Sequence, residues 1–139
     1  MTGRYVLDSY GLLALLQGED GADAVEKIIS SDESEVYMSI MNLGEVFYIL
    51  CRRFGEAAAC DLETRILQTP KIRIAQASWE RVRAAAIIKA TGGLSFADCF
   101  SASLALELEA VLVTGDPEFA RLQDSLGLRI LWLSVKGNS

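Results

Sequence analysis

The chain has 139 residues, 51% of them hydrophobic and 23% charged, with a net charge of −6. That length and composition suit one domain with a substantial core and exclude a disordered chain. There is no histidine, which removes histidine zinc sites, Ser-His-Asp and Cys-His nucleophiles and histidine general bases.

Periodicity switches repeatedly between strand and helix patterns. Residues Arg4–Leu7 predict a short apolar strand that ends at Asp8. Ser9–Gln17 reads as a helix with a leucine-rich face, and Asp20–Ser30 as a second that buries Ala24, Val25, Ile28 and Ile29. Glu35–Ser39 is a strand. Asn42–Phe54 is a helix stopped near Gly55, and Glu56–Thr69 another stopped by Pro70. Lys71–Ala75 alternates like a strand. Ser78–Thr91 reads as a helix with Ser78 as N-cap and Gly92-Gly93 as its stop. Ser95–Glu109 is a helix, Ala110–Thr114 a strand, Pro117–Leu126 a helix and Arg129–Leu133 a closing strand, with a frayed tail after Ser134. Five strands separated by helices predict an α/β domain with a parallel sheet and helices on both faces, built from the whole chain, 1–139. In such sheets ligands bind outside the carboxyl ends of the strands.

Other features set further expectations. The longest charge-poor helical stretch, Ile40 to Cys51, contains Glu45 and falls short of the roughly 20 residues of a membrane span. The opening MTGRYVLD lacks the apolar core of a signal peptide, so a cytoplasmic location is expected. Cys51, Cys60 and Cys99 form no CxxC motif and are read as buried thiols. Residues 52–83 carry seven bases against four acids. They offer either a local phosphate-attracting surface on an acidic chain or only the solvated faces of helices.

Four acids stand apart. Asp8 follows the first strand, and Asp116 lies two residues past the fourth. Glu45 is the only charge between Ile40 and Cys51, and Asp98 the only one between Leu94 and Leu106. Each has an ordinary explanation by itself. Asp8, and Asp116 before Pro117, suit helix N-caps. Ser95 with Asp98 forms a capping box. Glu45 lies opposite the Leu43, Val46, Phe47 and Leu50 stripe, as a solvent-facing residue would. Together they form an all-oxygen set with no cationic partner, which calls for a hard divalent cation, Mg²⁺ or Mn²⁺. Ser9 and Thr114 add hydroxyls at the same edge, able to hold a carboxylate or a water.

These runs, Asp8-Ser9, Glu45 in its apolar helix, Ser95-Phe-Ala-Asp98 and Thr114-Gly-Asp116-Pro-Glu-Phe119, together resemble the PIN domain from Arg4 to about Leu133. Within that family the Leu-Ser-Phe-Ala-Asp wording is similar to the toxin ribonucleases of VapBC-type toxin–antitoxin modules. The resemblance implies a three-layer α/β/α domain with a five-stranded parallel sheet and Mg²⁺- or Mn²⁺-dependent cleavage of RNA. It implies Asp8, Glu45, Asp98 and Asp116 as catalytic metal ligands, supported by Ser9 and Thr114. It also implies a homodimer neutralised by a small antitoxin. An RNA-processing nuclease that is no toxin and a non-catalytic binding module with the same fold are the alternatives. A receiver-type domain ranks low, because Ser9 and not a second acid follows Asp8, and no GxGxxG follows a strand for a dinucleotide fold. The apolar residues Phe47, Tyr48, Phe54, Trp79, Ile87 and Ile88 are read first as core, and second as a dimer or antitoxin groove.

Overall fold

A computed structural model describes residues 3–133. The predicted tail lies outside the described residues. Five strands, β1 (Gly3–Leu7), β2 (Ser34–Ser39), β3 (Ile72–Ala75), β4 (Val111–Thr114) and β5 (Ile130–Trp132), form one wholly parallel sheet in the order β3-β2-β1-β4-β5. The chain runs outward from β1 to β3, returns to lay β4 on the other side of β1, and finishes at β5. The direction of winding therefore reverses between β1 and β4, and the crevice at their carboxyl ends is where such sheets bind ligands.

Seven helices cover the sheet: α1 (Ser9–Gln17), α2 (Ala22–Ser30), α3 (Ile40–Phe54), α4 (Glu56–Leu67), α5 (Trp79–Lys89), α6 (Phe96–Glu107) and α7 (Ala120–Leu126). Strand alternation decides what each layer buries. Tyr5, Leu7, Val36, Met38 and Val113 pack with α1 to α4, around Leu12, Ile28, Val46 and Leu62. Val6 and Leu112 point the opposite way, into Ala85, Phe100, Leu104, Phe119 and Leu122 of the α5, α6 and α7 layer. Val6, Leu7, Leu112 and Val113 are all at 0% exposure, so the two central strands are covered on both faces, as an all-parallel sheet requires.

The predicted strands and helices are all present, with their ends shifted by one or two residues. Two differences have clear causes. The second helix begins at Ala22, not Asp20, because Gly21 takes a left-handed φ of 95° that no helix contains. The segment after Asp116 starts as a 3-10 turn, Pro117–Phe119, before α7. The core reading of the large apolar residues fails for Tyr48 (49% exposed), Phe54 (63%), Trp79 (68%) and Ile87 (54%), while Ile88 is buried at 7%. Helix α5, WERVRAAAIIK, has apolar residues around its whole circumference, and only Ala85 and Ile88 are buried. Cys99 is buried as expected, but Cys60 is exposed and Cys51 is half-buried. No helix among the described residues is long and apolar enough to cross a membrane.

Gly21 also sits against the residue that follows the last strand: a Cβ there would lie 2.8 Å from Leu133 Cβ, whereas Gly18, also left-handed at φ 62°, has open space around it. Gly21→Ala should therefore cost about 1–3 kcal/mol, from backbone strain plus overpacking, and Gly18→Ala only about 1 kcal/mol. Urea unfolding of both variants checks this; equal losses would show that the Leu133 contact carries no weight.

Candidate metal centre at the strand switch point

Asp8 leaves the end of β1 and is 1% exposed. Its Oδ1 accepts the Gly11 amide at 2.8 Å, capping α1, and its Oδ2 accepts the Thr114 hydroxyl at 2.5 Å. Thr114 closes β4 and is fully buried. Its Oγ1 also accepts the Asp116 amide at 3.0 Å. One hydroxyl thus joins the ends of the two central strands and aims both acids into the crevice. Gly115 leaves room for this turn, since a Cβ there would sit 2.4 Å from Cε1 of the Tyr10 ring. Asp116 Oδ1 in turn accepts the Glu118 amide at 2.9 Å, starting the 3-10 turn.

Asp98 lies in the first turn of α6, half-buried. Ser95 caps that helix by accepting the Asp98 amide at 3.1 Å, and Ser101 donates to the Asp98 carbonyl at 2.9 Å. Glu45 is also half-buried, one turn into α3, rather than facing free solvent. The hydrogen bonds of Ser9 run to Asn42. Its hydroxyl donates to the Asn42 carbonyl at 3.3 Å and accepts from the Asn42 side chain at 3.2 Å, binding α1 to α3. The capping roles and the clustering are both real, because a carboxylate has two oxygens and one suffices for a cap.

Asp98, Asp116 and Glu118 each offer an oxygen within 4.8 Å of the others. That is close to the roughly 4.2 Å across a small hard cation whose ligands lie about 2.1 Å away. Asp8 and Glu45 lie outside the trio but within electrostatic reach of it: Asp98 and Asp116 act on Asp8, and Glu45 acts on Asp98. Burial pushes the Asp8 carboxyl up to about 7, against the hydrogen bonds from Thr114 and Gly11 and with a further push from Asp98 and Asp116. Burial also raises Asp98 to about 6, opposed by its hydrogen bond to Ser95 and aided by the charges of Asp116, Glu45 and Glu118. The charges that act most strongly on these two acids are carboxylates.

Among the described residues the ion pairs are Arg4–Glu35, Arg73–Glu35 and Arg81–Glu107, all away from the crevice. Several of the bases from the middle of the chain are thereby occupied in holding the fold. Lys71 Nζ donates to the Ser31 and Ser34 carbonyls at 2.5 Å each, and Arg81 also donates to the Gln76 carbonyl at 3.0 Å. An all-oxygen set, crowded, desolvated at Asp8 and Asp98 and making no ion pair among the described residues, fits a hard divalent ion.

Two participants escaped the sequence reading. Glu118 is explained in one dimension by its place in a first helical turn, where acids are common; the 3-10 turn brings it back beside Asp116. Asn42 did leave a signal, as the one buried polar residue three positions before Glu45 on an otherwise apolar helix face.

A search of curated proteins finds no match. Solved structures do match in fold. VapBC2 of Rickettsia felis, crystallised bound to a DNA fragment from its promoter, aligns with TM-score 0.72 at 18% identity, over 94% of this chain and 99% of that one. The Mycobacterium tuberculosis VapC20, a sarcin–ricin loop cleaving toxin, aligns with TM-score 0.69 at 20% identity over 84% and 93%. A toxin–antitoxin complex from Klebsiella pneumoniae aligns with TM-score 0.62 at 16% identity over 84% and 90%. The sequence profile of the PIN domain matches residues 5–125. The chain belongs to the PIN domain family.

Proposed function

We propose that the protein is a Mg²⁺- or Mn²⁺-dependent endoribonuclease, the toxin of a type II toxin–antitoxin pair. The observation that carries this reading is the convergence of Asp98, Asp116 and Glu118 beside the buried Asp8 and half-buried Glu45, with no Lys or Arg paired to any of them among the described residues. Membership in the PIN family and likeness to proteins described as VapBC or as a cleaving toxin support it.

In this reading Asp8, Glu45, Asp98 and Asp116 hold the ion, with Glu118 as an added oxygen donor. When bound, the ion supplies charge that polarises a phosphoryl oxygen and activates water. The chain's own part is positional. Thr114 fixes the Asp8 carboxylate toward the crevice, and Ser95 and Ser101 fix the first turn of α6 that carries Asp98. No side chain with a pKa near 7 is needed as a general base, in keeping with a chain that has no histidine. A cognate small antitoxin is the proposed partner, for which the exposed Tyr48 and Phe54 on α3 offer an apolar contact. A homodimer and a cytoplasmic location complete the proposal.

Asp98→Asn removes a ligand charge at almost constant volume. It should fold normally and lose 10²-fold or more of the Mn²⁺-dependent cleavage of an RNA pool, a magnitude on the order of those for removal of one charge-stabilising group. EDTA should abolish wild-type cleavage. Wild-type rates in Asp98→Asn would remove Asp98 from the metal set.

Without metal, Asp8 has a second consequence. Its folded value near 7 lies above the ordinary value of 3.8, so the folded state holds the proton more tightly than the unfolded chain. Its effect on stability is absent below pH 4, grows as a penalty between about 4 and 7, and is complete above 7. In EDTA the wild type should therefore lose stability across that window, by on the order of a few kcal/mol from this group. Asp8→Asn should flatten the slope and be the more stable protein at pH 8, although inactive. Denaturant melts at pH 4.5, 6 and 8 check the sign; a wild type that gains stability relative to Asp8→Asn as pH rises would reverse it.

A further inference from the structure

Asn42 is at 0% exposure. Its Nδ2 donates to Ser9 Oγ and to the Ala97 carbonyl, both at 3.2 Å, yet its Oδ1 is buried with no hydrogen-bond partner. A half-satisfied amide in a core is costly, and an apolar side chain of equal size would avoid the cost. The contacts it does make are therefore informative. Ser9 is the neighbour of Asp8, Ala97 is the neighbour of Asp98, and Glu45 lies three residues further along the same helix, on the next turn of the same face. One side chain thus touches the backbone or hydroxyl next to two of the acids and shares a helix face with a third. Helices α1, α3 and α6, which come from distant parts of the sequence, are pinned together at that single point.

We propose that Asn42 is a positioning residue that sets the spacing of the carboxylates for the metal ion, at an expense in fold stability. The proposal rests on the metal-site reading above and deepens it. Thr114 registers the two acids at strand ends, and Asn42 registers those carried by helices. Without its two N–H donors, α3 is free to shift by a fraction of an ångström against α6, and Glu45 and Asp98 no longer meet the ion at fixed separation. Groups that orient ligands in this way typically change metal affinity by about 10–100-fold when removed.

The test compares wild type, Asn42→Leu and Ser9→Ala. Mn²⁺ binding is titrated calorimetrically, and thermal unfolding is followed in EDTA. Leucine keeps the branching and heavy-atom count of asparagine at a somewhat larger volume, has no donors and removes the orphaned oxygen. Asn42→Leu is expected to melt in EDTA at or above the wild-type temperature and to bind Mn²⁺ about 10–100-fold more weakly, with RNA cleavage recovering as Mn²⁺ is raised. Ser9→Ala, which opens one side of the same clamp, is expected to weaken Mn²⁺ binding in the same direction. A purely structural Asn42 would give the opposite pattern, a lower melting temperature with unchanged Mn²⁺ affinity, and would overturn the proposal. If Asn42→Leu fails to fold, wild-type Mn²⁺ affinity in Ser9→Ala overturns it. A wild type that binds no Mn²⁺ overturns the metal-site reading itself, and the wild-type titration alone identifies that failure.

Discussion

The hydrogen bond from Thr114 to Asp8 holds the candidate site at the one place where the sheet's winding reverses. It ties β1 to β4, the strands whose order of assembly creates the crevice, and it fixes a carboxylate that has almost no contact with solvent. Burial of that carboxylate is unfavourable, and two hydrogen bonds offset only part of the penalty, which is why its pKa stays near 7. The surrounding structure enforces the burial regardless. Val6, Leu7, Leu112 and Val113 are sealed on both faces, and their register leaves the next residue of each strand no other direction to take. A small cation bound beside this carboxylate would relieve that penalty, which is the physical basis of the proposed metal site.

The same acids also terminate helices. Asp8 caps α1, and Asp116 caps the 3-10 turn, while Asp98 lies in the first turn of α6 with Ser95 as its cap. Helix N-termini carry partial positive charge, so the crevice receives several peptide dipoles directed at its carboxylates. That field partly compensates their mutual repulsion before any ion arrives. Capping and clustering share these residues: in Asp116 the cap takes one oxygen of the carboxylate, and in Asp8 the cap and the Thr114 hydroxyl hold one oxygen each.

Much of this was legible in the amino-acid order. Asp8, Glu45 and Asp98 are conspicuous because each interrupts an apolar run, and an isolated charge in a run that must be buried demands a partner or a function. The strands were legible as short apolar segments bounded by turn residues. Strand order was not, because nothing local to Ala110–Thr114 says that it pairs with β1 and not with β3. Trp79 and Ile87 were misread for a related reason. Hydrophobicity on α5 has no preferred side, so periodicity gives no face, and only the position of α6 decides that Ala85 and Ile88 are inside. Glu118 and Asn42 required three dimensions outright: the first depends on the tightness of a 3-10 turn, the second on a meeting of three helices.

The distribution of the acids along the chain has a temporal side. The first strand forms its central pair with residues 111–113, more than a hundred positions later, and three of the clustered carboxylates come from Asp98 onward. During synthesis from the amino terminus, Asp8 therefore emerges long before anything that can confine it beside another acid. An incomplete chain contains the capping residue of a helix but no cluster of carboxylates beside it. The crevice closes only when β4 inserts beside β1, a late, non-local event of the kind that slows folding. If the site degrades RNA, a nascent chain whose β4 has not yet paired with β1 is inert by topology, and activity begins only once that pairing forms.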